Sequence, residues 1–433
     1  MLWTVQHRVA KLSCFAFNCY RHEIRLVCWR PEIEALILLS KGGVKQGDPL
    51  AMALYGIALL PLGEFLQTKS PDVLQPWYAD GVAMQGKRQD VADTFWELIR
   101  LSLMFGYLPE PEKSFAICHL ATEATAKTIF EALGLPVRYR CGHRHVGGFV
   151  GSAAMKNRWI KPMVSKWVQG VEALAKVARK YSQSAFYGFS QSLQAEWQYV
   201  CRCVEGVEEH LQPVEEAIQG KLIPVLLECE ELDIANNVWQ LLSHGTKQGG
   251  MNLRDPLAGA VHLYQVLTEA SAVLGASLLA DTPLDSVAHK ACVREAGTKA
   301  RKEKAAKEKA QVDAMKETAS KAVTKRLERI GETGLWMTLP PCRIDGTTLS
   351  QEEWQDNARL RYGMRLTGLC SYCDGCGGGF TVEYALGCKK GGLMCMQHDD
   401  VRDEAGALAA MALTKSKVTY EPTFFCGRGI AAT

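Results

Sequence analysis

Two groups of residues in this 433-residue chain have side chains that could do chemistry. The first is Asp80, in the stretch Gln75-Pro76-Trp77-Tyr78-Ala79-Asp80-Gly81-Val82-Ala83-Met84. Aromatic and apolar residues flank a central Asp-Gly, which predicts a tight β-hairpin with Asp80 at its tip and Gly81 supplying the positive φ. A carboxylate presented there could hold a divalent cation over a sheet, or serve as an ordinary turn residue. The second group runs from Cys370 through Cys373, Cys376, Cys388 and Cys395 to His398. Cys373-x-x-Cys376 is a half-site for zinc, because two thiolates two residues apart reach one ion from a single turn. Cys388 and His398 would complete a Cys3His set, with Cys370 or Cys395 as substitutes. Free thiols are the alternative reading.

The surrounding elements must position these groups. Glu32–Ser40 reads as a strand entering the glycine-rich turn Gly42-Gly43-Val44-Lys45-Gln46-Gly47-Asp48-Pro49-Leu50. Asp48 is the expected N-cap and Pro49 the first residue of a helix over Ala51–Leu66, apolar nearly all round and so expected to be buried. After the Asp80 hairpin, Val91, Phe95, Leu98, Leu101 and Met104 predict an amphipathic helix over Asp90–Phe105, closed by Gly106-Tyr107. Pro109–Ser114, which contains Lys113, is a turn into a strand over Phe115–Leu120, and His145–Gly151 is a second hairpin. This irregular alternation predicts an α+β domain over 1–155. A helical pattern fills 156–290, interrupted by the turn Gly249–Pro256, and its Trp and Met residues read as core. Within 291–335, Lys299–Arg329 is rich in Ala, Lys and Glu and reads as a single exposed helix with i,i+4 pairs. It is either a solvated linker or a helix lying along a nucleic-acid backbone. The Cys/His tail occupies 336–433.

Composition limits the classes. A net charge of +3 gives no global basic field, so a case for nucleic acid has to be local, and 47% hydrophobic residues suffice for several cores. Met1–Phe15 carries His7, Arg8 and Lys11 and lacks signal-peptide organisation, so the 16 cysteines are expected as reduced thiols. The expected location is intracellular, nuclear or cytoplasmic, and not secreted. The longest apolar run, Leu50–Leu62, is too short to span a bilayer, so a soluble protein with no membrane partner is expected. Met1 opens directly into apolar sequence and the chain ends without a closing element, as if truncated at both ends.

Taken in order, Gln46-Gly47-Asp48-Pro49-Leu50, a buried helix, Tyr78-Ala79-Asp80, Gly106-Tyr107 with Lys113-Ser114, and His145-Val146-Gly147-Gly148-Phe149-Val150-Gly151 form a series. It resembles the palm of reverse transcriptases of non-LTR retrotransposons. The resemblance implies a partial palm, with an antiparallel sheet and packed helices, followed by a helical thumb, a long charged helix and a small Cys/His module. It also implies RNA-directed DNA polymerase ancestry, with an RNA template, a DNA primer and a dNTP as partners. Nucleotidyl transfer needs two divalent ions about 3.5–4 Å apart. By resemblance Asp80 is a Mg2+ ligand, and Gln46, Gly47, Asp48 and Tyr78 approach nucleotide and template. Lys113 sits near the triphosphate, while Val146, Gly147 and Gly148 stand at the primer grip. Gly249-Gly250-Met251-Asn252-Leu253 is similar to a segment after the family's thumb, and the tail resembles a zinc-binding module with Tyr384 where the family offers His. Two departures matter. The family's second hairpin aspartate is Gly81 here, and nothing before Gln46 supplies its upstream Asp. One carboxylate does not hold two Mg2+ ions in reactive geometry, so this chain is expected not to polymerise. It also stops before any nuclease core. The alternative is a non-catalytic RNA- or DNA-binding protein using thumb, basic helix and zinc module.

Overall fold

Apolar residues recur every three to four positions over most of the chain, and the backbone follows them: the computed structural model is 66% helix and 9% strand. It describes residues 2–30, 33–40, 44, 48–229, 236–388, 390 and 393–412. In the coarse sense it is α+β. The strands do not form one antiparallel sheet. β1 (Ile24–Arg30) pairs with β2 (Ile33–Ser40), β3 (Trp77–Tyr78) with β4 (Gly81–Val82), β5 (Phe115–Ile117) with β6 (Arg138–Arg140), and β7 (Gly142–His145) with β8 (Gly148–Gly151), as four separate two-stranded ladders. The β5–β6 ladder is parallel. The helix Leu120–Ala132 lies between those two strands, and a helical crossover returns the chain in the same direction, where a tight turn would reverse it.

Contacts divide the chain into two units that interleave along it, whereas the sequence divides into consecutive segments. The first unit comprises Met1–Gly170, Ser192–Glu216 and Arg254–Ala306; the second comprises Val171–Gln191, Ala217–Leu253 and Lys307–Thr433.

In the first unit the helix Ala51–Lys69 sends Leu59, Leu62 and Leu66 against Ala92, Phe95 and Leu98 of the helix Arg88–Ser102, with Tyr107, Phe130 and Leu135 completing the core. The expectation of burial all round holds for one face only, since Met52, Leu60 and Phe65 are exposed. Asp48 was expected as the N-cap, but that position is Leu50; Asp48 lies in the turn before it, where its Oδ1 accepts from the Leu50 N–H at 2.9 Å. By length and composition two helices, Ala51–Lys69 and Pro256–Leu279, suffice to cross a membrane. The second escapes a search for unbroken apolar runs because His262 and Glu269 punctuate it.

In the second unit Trp354 is fully buried, its ring 5.0 Å from Phe186 and 5.1 Å from Trp336. It enters from the helix Gln351–Tyr362, which starts with a capping box: the Ser350 hydroxyl accepts from the Glu353 N–H and the Glu353 carboxylate accepts from the Ser350 N–H. The Gly249–Leu253 turn lies tight against the chain before it. A Cβ on Gly250 would stand 2.1 Å from the His244 carbonyl oxygen, so only glycine fits. Tyr362 donates to the Gly249 carbonyl at 3.1 Å, and burial pushes its phenol up to about 12. The basic stretch, which belongs to the first unit up to Ala306 and to the second from Lys307, is two helices, Ser286–Thr318 and Lys321–Glu332, where one was expected. Ser320 divides them by accepting from the Val323 N–H, a cap that competes with helix continuation.

Candidate functional site

The β3–β4 ladder pairs Trp77 with Val82 and Tyr78 with Gly81, leaving Ala79-Asp80 as a two-residue loop. This corrects the turn chemistry. Ala79 takes the positive φ, +52°, and Gly81 lies in the strand that closes the loop. The register is set by the two cross-strand pairs, which shift the turn one residue ahead of the Asp-Gly dipeptide. Asp80 is at the tip and exposed, as expected. The Tyr107 phenol donates to its backbone carbonyl at 3.0 Å, and the Tyr107 ring tilts against Trp77 at 5.8 Å. Burial first, then the neighbouring Tyr55 and Asp80, pushes the Tyr107 phenol up to about 12, so it remains a donor at neutral pH. The tip is therefore anchored through its backbone, and the carboxylate is left to solvent.

The other expected residues have partners of their own. Asp48 is engaged by the Tyr20 phenol as well as by the Leu50 N–H. Lys113 is 71% exposed and pairs with Glu110 at 2.6 Å. Gln46 and Gly47 lie outside the described residues. Val146 and Gly147 form the loop between β7 and β8, with φ of +46° and +81°, and Gly148 pairs back to His145. Both loop residues have the positive φ of a type I′ turn. The Tyr199 phenol donates to the Val146 carbonyl at 2.6 Å. Burial, then the neighbouring Cys203, raises that phenol, so it remains a donor at neutral pH. Among the described residues Asp80 belongs to no group of three or more His, Cys, Asp or Glu side chains that could hold an ion.

Sequence reasoning missed the ribbon leading to this loop. Arg138, Arg140, Arg144 and His145 are exposed along β6 and β7, and no acid occurs between 138 and 145. Tyr139 alternates inward, edge-on to Phe130 at 6.4 Å. Phe115 stacks on His143 at 3.7 Å and lies 5.8 Å beneath the Arg138 guanidinium. Burial first, then Arg140 and His145, pushes the His143 imidazole down and keeps it neutral. The alternation of cationic and ring residues in Arg138-Tyr139-Arg140-Cys141-Gly142-His143-Arg144-His145 was the available signal.

The tail brings three sulfurs together. Cys373 and Cys388 Sγ are 3.7 Å apart, Cys388 and Cys376 Sγ 3.8 Å, and all three lie within 4.8 Å of one another. The turn is closed by Gly377 N–H donating to the Cys373 carbonyl and Cys373 N–H to the Gly378 carbonyl. At a zinc–sulfur bond of about 2.3 Å a tetrahedron has sulfur–sulfur edges of about 3.8 Å, so this spacing suits one such ion. His398 is not part of the group. It sits on the helix Leu393–Ala412, 73% exposed and 3.6 Å from Asp399. Cys370 is exposed and outside the group, and the Cys395 side chain lies outside the described residues. Tyr384 comes instead: its phenol oxygen is 2.7 Å from Cys376 Sγ. The phenol's hydrogen bond, with the Gly378 N–H after it, pulls the Cys376 thiol down to about 7, and the same contact pushes Tyr384 up to about 12. The phenol and the sulfur share one hydrogen bond, and once Cys376 is ionised the phenol is its donor.

No family profile, curated protein or solved structure matches this chain. The three-cysteine cluster, able to hold a metal ion, is the part of the site that stands on geometry alone.

Proposed function

We propose that this chain is a reverse-transcriptase-like protein of retrotransposon descent that binds nucleic acid without polymerising it. One observation carries the reading: an exposed, acid-free cationic ribbon ends at the Val146 loop, which the Tyr199 phenol tethers, while the Asp80 hairpin tip offers a single carboxylate. Phosphates are recognised by such charge without base contacts, and nucleotidyl transfer requires ligands that the tip lacks. The ordered palm-like series supplies the ancestry, and the interleaved aromatic residues suit contact with bases or sugars. The partner is an RNA template with a DNA primer, or a comparable duplex. A zinc ion in the tail stabilises its cysteine turn, and the protein works inside the cell.

The test is equilibrium binding of the full chain to a labelled RNA–DNA duplex across a salt series, with primer extension on the same duplex in Mg2+ and Mn2+. Replacing Arg138, Arg140 and Arg144 with Ala is expected to weaken binding and flatten the log K against log salt slope by about 2.7, at about 0.9 per phosphate contact. Extension is expected at background. A salt slope unchanged by the triple replacement sinks the binding surface; templated extension sinks the loss of catalysis.

A further inference from the structure

A zinc site with four protein ligands is closed and structural, whereas one with three keeps a position for an outside ligand. The tail places three sulfurs at tetrahedral edges, 3.7 and 3.8 Å. Among the described residues no fourth His, Cys, Asp or Glu atom joins them. The group nearest the opening is Tyr384, and its position is that of a hydrogen-bond partner. With zinc–oxygen near 2.0 Å and zinc–sulfur near 2.3 Å, oxygen and sulfur on one ion stand about 3.5 Å apart. Tyr384 Oη is 2.7 Å from Cys376 Sγ, well inside that edge. Its ring is held there from two sides. Thr381 Oγ1 accepts from the Tyr384 N–H at 3.0 Å, starting the short helix Val382–Gly387. On the other side Gly378 leaves room: a Cβ there would stand 2.7 Å from Tyr384 Oη. Cys373 and Cys388 are buried and Cys376 is exposed, so the cluster opens to solvent on the Cys376 side.

We propose that Cys373, Cys376 and Cys388 hold one zinc ion through three thiolates, that Tyr384 supports Cys376 from outside the coordination sphere, and that the fourth position takes an exchangeable water. Loading releases to solvent whatever thiol protons the three cysteines still carry as three zinc–sulfur bonds form, and the phenol keeps its own. Tyr384 is a positioning residue. The site then accepts a small neutral donor such as imidazole in place of water. This rests on the zinc reading of the tail and is independent of nucleic-acid binding.

The experiment is cobalt substitution of the full-length protein, following the d–d bands and the sulfur-to-cobalt charge-transfer intensity as imidazole is added, with zinc content measured in parallel. Expected are one ion per chain, charge-transfer intensity for three sulfurs, and a saturable d–d shift with imidazole. Tyr384→Phe should keep the three-sulfur signature and weaken metal binding about 10-fold or more, as loss of an outer partner does. Tyr384→His should supply a fourth ligand and abolish the imidazole response. His398→Ala should change nothing. Zinc content of zero in the wild type defeats the zinc reading itself. One zinc with four-sulfur intensity, or with spectra deaf to imidazole, overturns the open position while leaving zinc in place. A d–d shift in Tyr384→Phe without imidazole makes the phenol a ligand and overturns its positioning role.

Discussion

The hairpin tip at Asp80 and the cysteine turn at Cys373 are both tight loops offering side chains to a cation, and they end differently. At Asp80 the chain spends its hydrogen bonds on the backbone, through Tyr107, and leaves one carboxylate in water. At Cys373 the turn, a short helix and the residue after it bring three ligand atoms back to one point. A metal centre is made by how many ligands the backbone returns to the same place, and a correctly placed single ligand does not amount to one. Gly81, next to Asp80, offers no ligand and pairs with Tyr78.

The sharpest way to break this contrast is to remove ligands on each side. Cys373→Ser with Cys388→Ser is expected to take bound zinc from one per chain to none by metal analysis, and to expose residues 366–390 to protease. Asp80→Asn is expected to leave metal content and unfolding midpoint where they were; a lost Mn2+-binding signal in Asp80→Asn would erase the difference. Next in size, Gly378→Ala pushes the Tyr384 ring off Cys376 and should lower zinc affinity 10- to 100-fold, read by chelator competition. Smaller again is a pH effect in the metal-free protein. The Cys376 pKa is lowered from 9.0 to about 7, so the stability its thiolate contributes is present above pH 9 and is lost as pH falls through 7. Alkylation of Cys376 should accordingly rise with a midpoint near pH 7, and Tyr384→Phe should move that midpoint upward. The smallest effect belongs to the hairpin: Tyr107→Phe removes the donor to the Asp80 carbonyl and should cost about 1 kcal/mol in urea unfolding.

What the sequence made legible divides along the same line. The cysteine turn was readable because its spacing is local, and two thiolates three positions apart have few other places to go. His398 was chosen by residue type, and the helix that carries it turns it to solvent beside Asp399. The Asp80 hairpin was readable from its flanking aromatics, but its turn residues were not, because Trp77–Val82 pairing fixes the loop one position earlier than Asp-Gly suggests. The strand pairing was not readable: one antiparallel sheet was expected, and the described strands form four separate two-stranded ladders. Strand pairing is decided by partners distant in sequence, and segments as short as Phe115–Ile117 carry too little pattern to name theirs. The Ser350–Glu353 capping box went unread in the sequence, and it starts the helix that carries the buried Trp354.

The Val146 loop has a mechanical side. A β-branched residue at φ +46° sits in a backbone well that glycine or asparagine fills more comfortably, at a cost of order 1–3 kcal/mol. Its carbonyl is moored by the Tyr199 phenol, from a helix some fifty residues along the chain. The Tyr199 phenol therefore holds this strained turn from outside its own hairpin, which makes Tyr199 the point from which the end of the cationic ribbon is stiffened.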